Sequence, residues 1–227
     1  MEAERTLAEV HRLRDEARAR AHGGAWLPAV AVAALLLGSI SLYRFPFEQT
    51  NSIVADYPFW AGLSDEQRDP TRSYVFWFLG IPLLFALTAA WYRWRERRVG
   101  VRVAWWGFAA AGLGALALLA VLAAAPSGES ADGMTGGTGV WWPGVLTPLL
   151  PLAAGVVALG LTERSRGLLA AGLWIGLLAV WLCASSPLGR VPGGQLSLRP
   201  GHYLVLMAVP LLVFAGVRLV QTRRTFA

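Results

Sequence analysis

The sequence predicts an all-α integral membrane protein, a bundle of about six transmembrane helices with a short cytoplasmic N-terminal helix. Three observations carry this reading. Of the 227 residues, 56% are hydrophobic, whereas soluble domains sit near ~45–50%. The apolar residues collect in six blocks, each close to the ~20 residues that span a ~30 Å hydrocarbon core. The arginines lie between the blocks and alternate in density from one connection to the next, the pattern that encodes membrane topology.

Taken in order, residues 2–21 read as a helix. Arg5–Glu9, Arg12–Glu16 and Glu16–Arg20 are opposite charges four residues apart, the spacing that supports a helix. Gly23-Gly24 would end it. Ala3, Leu7, Val10 and Ala17 give it a weak apolar stripe. The stretch is too long and too acidic for a cleavable signal peptide.

The six blocks are 26–43, 74–92, 104–125, 144–161, 168–185 and 203–220. In hydrocarbon no water satisfies backbone polar groups, so each block must be helical. None alternates in polarity as a barrel strand would. Pro143, Pro148 and Pro151 make the fourth block the least regular. Pro-Leu-Leu occurs at Pro82, Pro148 and Pro210, once in each even-numbered block. Three related hairpins would explain this; in so Leu-rich a chain, coincidence explains it better.

All 20 basic residues are arginine, a composition typical of GC-rich bacterial coding DNA. Fifteen of them fall on one side: five in residues 1–25, five from Arg93 to Arg102, then Arg164, Arg166, Arg218, Arg223 and Arg224. Arg44, Arg68, Arg72, Arg190 and Arg199 fall on the other. The positive-inside rule places the fifteen in the cytoplasm of a bacterial cell, with both termini inside. Domain organisation follows as a helix over 1–25, a membrane domain over 26–221 and a tail over 222–227. Outer loops cover 44–73, 126–143 and 186–202. The pI near 10.4 reflects this topology and implies no nucleic-acid partner, because no basic stripe lies on a soluble fold.

Catalytic signatures are absent from the sequence. There is no phosphate-binding loop, no His-Glu-x-x-His and no Gly-x-Ser-x-Gly. No ionisable residue sits in the middle of a block, which argues against ion-coupled transport. The lone Cys183 and the scattered His11, His22 and His202 suggest no metal or cofactor. Glu48, Asp56, Asp65, Glu66 and Asp69 in the first outer loop form a candidate surface site, with a solvated face as the plainer reading. Asp69-Pro70 reads as the cap and first residue of a helix. The outer loops carry opposite net charge, so Arg190 and Arg199 are expected to dock the last loop on the first two. Gly172 and Gly176 suit close helix packing, as do Gly107, Ala110, Ala111 and Gly114, within the chain in preference to an interface between copies.

The layout resembles the membrane half of an ABC-2-type exporter in overall organisation, with no diagnostic motif. That resemblance implies a transport-related subunit or accessory protein, without catalysis of its own, in contact with a cytoplasmic partner such as an ATPase subunit. Arg93, Arg95, Arg97, Arg98 and Arg102 are the candidate docking residues, in a segment 91–103 read as a rigid loop. A lipid-phase enzyme using the outer carboxylates, or a sensory or scaffold protein, is the alternative.

Overall fold

The computed structural model describes residues 5–12, 24–44, 46–47, 68–99, 106–124, 147–184 and 200–226. Among them every regular element but an isolated bridge at Tyr43 is helical. Residues 5–12 form α1. Then come α2 (Trp26–Ser39), extended by a 3-10 turn (Ile40–Leu42), α3 (Pro70–Val99), α4 (Trp106–Ala124), α5 (Leu149–Thr162), α6 (Arg166–Ala184) and α7 (Pro200–Phe226). Among the described residues, two helices are long and apolar enough to cross a membrane, over Thr71–Arg98 and Pro200–Gln221. The apolar stretches of α2, α5 and α6 are shorter. In α5 the shortening has a local cause: Pro148 is its N-cap, so the helix begins later than the apolar block does.

The first turns follow from local chemistry. Asp69 Oδ1 accepts the Thr71 N–H at 2.9 Å, satisfying one of the orphan donors at the start of α3. Pro70 occupies the first helical position, where its missing N–H costs nothing. In α1, Arg12 pairs with Glu9 at 2.9 Å. The sequence reading pairs Glu9 with Arg5 and Arg12 with Glu16; Glu16 and Arg20 lie outside the described residues.

Each helix from α2 to α7 packs against its neighbours in sequence, and α7 closes the ring on α2. The α2–α7 contact uses small residues. Ala29 and Ala33 of α2 and Ala208 and Ala215 of α7 are all buried, so the two backbones approach closely. Phe85 wedges between α4 and α5. A Cβ on Gly112 would stand 1.8 Å from its ring, and one on Gly155 3.0 Å. The α5–α6 hairpin is tighter still. A Cβ on Gly160 would meet the Leu169 backbone nitrogen at 2.6 Å, and one on Gly172 the Val157 nitrogen at 2.7 Å. Gly176 faces Ala153 at ordinary contact distance.

The small residues of α4 correct the expectation that they pack within the chain. Gly107, Ala110, Ala111 and Gly114 are exposed, and nothing stands near the two glycines. The packing face is Ala109, Gly112 and Leu116 instead. Small residues occur all round this helix, so their spacing does not mark a face. The Pro-Leu-Leu triplets also sit differently. Pro82 and Pro210 lie inside α3 and α7, whereas Pro148 precedes α5.

Pro210 has a structural counterpart. A proline cannot donate to the carbonyl four residues earlier, so the Leu206 oxygen loses its helical partner. Trp174 of α6 donates its indole N–H to that oxygen at 3.0 Å. The break in one helix is thereby filled by its neighbour.

The outward surface is apolar to an unusual degree. Leu79 is 66% exposed and Leu83 67%, and Val75 and Leu87 continue the same stripe on α3. Leu173, Leu177 and Val180 do so on α6, and Val209, Val213, Val217 and Val220 on α7.

Candidate functional site

α3 runs past its apolar block. Arginine is a good helix former, and no Gly or Pro intervenes before Gly100. The segment expected as a loop from residue 91 is therefore helical up to Val99. Arg97 and Arg98 lie in its last turn, where positive charge complements the helix dipole. Arg102 lies outside the described residues.

Helical periodicity sorts the arginines into two groups. Trp77, Ile81, Leu84, Thr88 and Tyr92 form the buried face of α3, and Arg95 extends it. The Arg95 guanidinium lies directly on Gly24, where a Cβ would meet its Nη1 at 1.7 Å. Arg93, Arg97 and Arg98 are exposed and continue the opposite face, that of Leu79, Leu83 and Leu87. The four candidate docking residues that are described thus do not form one surface.

Tryptophans hold this end together. Trp91 donates its indole N–H to the Gly24 carbonyl at 2.8 Å. It meets Trp26 edge-on at 5.6 Å and stacks on Trp94 at 5.0 Å. Arg98 lies 4.5 Å above the Trp94 ring, and Arg93 lies 6.0 Å from that of Trp106. The start of α2 is thereby pinned to the end of α3.

The turn between α5 and α6 supplies a carboxylate. Glu163, the C-cap of α5, is 1% exposed. Tyr92 donates its hydroxyl to Glu163 Oε1 at 2.5 Å, joining the end of α3 to the α5–α6 hairpin. The turn aims Glu163 inward by a tight reversal. Arg164 adopts a left-handed conformation with φ 49°. Its N–H meets the Leu161 carbonyl at 3.2 Å, and the Ser165 N–H meets that of Gly160 at 2.8 Å, the paired bonds of a Schellman ending. Arg164 and Arg166 are left exposed at the tip.

The opposite end is closed by backbone bonds. Arg68 donates its N–H to the Leu42 carbonyl at 2.8 Å and its Nε to that of Tyr43 at 3.0 Å. The Gly201 N–H meets the Pro46 carbonyl at 2.9 Å. Of the outer carboxylates, Asp69 caps α3 and pairs with Arg72 at 3.4 Å. Glu48, Asp56, Asp65 and Glu66 lie outside the described residues, as do Arg190 and Arg199. Among the described residues, no three His, Cys, Asp or Glu side chains gather to hold a metal ion.

Glu163 escaped the sequence reading because charged residues beside an apolar block were assigned to a solvated connection. One signal was available: Glu163 is the single acid after Asp132. What this end of the bundle offers chemically is charge and position, with one buried carboxylate holding three helices and exposed guanidinium groups around it. No family model matches the chain, and neither a curated protein nor a solved structure is similar to it.

Proposed function

We propose that the chain is a six-span protein of the cytoplasmic membrane, with both termini inside, that serves as a transport-related subunit by docking an acidic partner at its basic end. The observation that carries this reading is the inversion of polarity. The outward faces of α3, α6 and α7 are aliphatic, while a carboxylate, Glu163, is buried. Water would penalise the first, and hydrocarbon makes it favourable. The shorter helices fit the same reading, because α2 packs against both long ones and α6 packs against α7.

Charge supports the orientation. Arg93, Arg95, Arg97, Arg98, Arg164 and Arg166 stand at one end of the bundle, and Arg44, Arg68 and Arg72 at the other. Arg164 and Arg166 project from a turn fixed by two backbone bonds, which suits a guanidinium fork that must meet a carboxylate in one geometry. An ATPase subunit with an acidic groove is one such partner. The test is affinity purification from native membranes. A partner should accompany the wild-type chain and be lost from R164Q/R166Q, with membrane insertion unchanged. A chain that purifies alone, or a partner retained by that variant, would refute docking at this turn.

A further inference from the structure

We infer that Arg93, Arg97 and Arg98, with Trp94 and Trp106, form a binding surface for an anionic phospholipid headgroup whose acyl chains lie along the outward face of α3. The inference rests on the membrane-spanning reading above. It assigns these arginines to lipid and leaves the turn arginines to a protein partner.

The argument begins from register. Val75, Leu79, Leu83, Leu87, Trp94 and Arg98 follow one another on a single exposed face of α3. Along that face the chemistry changes in one direction, from aliphatic to indole to guanidinium. Val75 to Trp94 is nineteen steps of ~1.5 Å, or about 29 Å, the thickness of a hydrocarbon core. Trp94 is then at the interface, the level that tryptophan prefers. Arg98 is one turn farther, about 6 Å, within the ~5–8 Å headgroup layer on each side of a bilayer.

Geometry supplies the rest. Arg98 lies 4.5 Å above the Trp94 ring. The ring holds the cation at the interface by cation–π attraction, at the level of a lipid phosphate. Arg93, one turn earlier, lies 6.0 Å from Trp106 of α4, so two helices flank the position. Trp94 is 46% exposed and Trp106 65%. A soluble acidic partner would have to reach arginines whose own helix face turns aliphatic at Leu87, six residues before Arg93, where the acyl chains lie. A phospholipid meets both parts at once, with phosphate at the arginines and chains on Leu83 and Leu87.

The test is native mass spectrometry of the full chain released from bilayers of equal phosphatidylglycerol and phosphatidylcholine. The wild type should retain phosphatidylglycerol at least fivefold over phosphatidylcholine. R93Q/R97Q/R98Q should abolish the preference, and the three Lys replacements should keep it within about twofold, because charge attraction to anionic lipid needs no fork. R164Q/R166Q should leave it intact. R98Q alone should lower it about twofold, which covers the case of a triple variant that does not fold. Unchanged preference in the Gln variants, or no preference in the wild type, would overturn the inference. So would loss of a co-purifying protein from the triple Gln variant with lipid retention intact. Release of the wild type from membranes by alkaline carbonate would instead overturn the spanning reading on which the inference rests.

Discussion

Tyr92 and Glu163 are 71 positions apart in sequence and joined at 2.5 Å, the hydroxyl of one donating to the buried carboxylate of the other. The pair ties α3 to the α5–α6 hairpin at the end of the bundle where the arginines stand. A buried carboxylate deprived of a donor bears a desolvation penalty that water no longer offsets. Tyr92→Phe should therefore destabilise the protein by about 1–3 kcal/mol. Glu163→Gln in the Tyr92→Phe background should recover part of the loss, because a neutral amide is cheaper to bury. Thermal unfolding in detergent micelles measures both. A Tyr92→Phe variant as stable as the wild type would show that the bond contributes nothing.

The second prediction concerns Arg164, whose φ of 49° is costly for a residue with a Cβ and easy for glycine. Arg164→Gly should stabilise the hairpin by about 0.5–1 kcal/mol. Arg164→Val should destabilise it, since branching at Cβ worsens the same clash. The same unfolding assay reads both signs, and equal effects in the two variants would contradict the left-handed turn.

Trp174 and Pro210 make a cycle. Trp174→Phe leaves the Leu206 carbonyl without its donor and should cost about 0.6–1.7 kcal/mol, the range of side-chain hydrogen bonds between membrane helices. In a Pro210→Ala background the alanine N–H can reach that carbonyl from its own helix, so Trp174→Phe should cost almost nothing there. Equal costs in the two backgrounds would mean that the indole is not replacing the proline's missing bond.

The glycines divide by the space around them. Gly160→Ala and Gly172→Ala would drive a methyl group into neighbouring backbone, and each should cost about 1–3 kcal/mol. Gly107→Ala and Gly114→Ala meet nothing and should gain up to about 1 kcal/mol from helix propensity. Stability of the four single variants, ranked, tests the packing of α5 on α6 and the outward turn of α4 together.

Much of this architecture was legible. The apolar blocks mark the helices because their length and lack of alternation leave no other way to satisfy the backbone. Asp69-Pro70 marks the start of α3 because its chemistry is local. What was not legible depended on a partner distant in sequence. Arg95 and Arg97 look equivalent in a row of arginines, and only the packing of α3 turns one onto Gly24 and the other outward. Glu163 looks solvated until Tyr92 is brought to it. A tyrosine closing an apolar block is a hint, since a buried hydroxyl seeks a partner, but it does not say which one.

Orientation gives a further prediction. With Cys183 replaced by Ala, cysteines placed at Arg97 and Arg166 should resist an impermeant thiol reagent in intact cells. Cysteines at Ser41 and Thr71 should react. Labelling at Arg97 from outside would reverse the assignment of the two ends.

Closure of the ring by α7 on α2 also sets an order in time. The first helix of the ring has its largest interface with the last, so its buried face of Ala29, Ala33 and Leu36 cannot be covered as it leaves the ribosome. About 180 residues follow α2 before α7 is complete, which at ~5–20 residues per second is on the order of 10–40 s. During that interval the buried face of α2 has no partner of its own chain equal to α7, and a chain released before α7 leaves it unsealed.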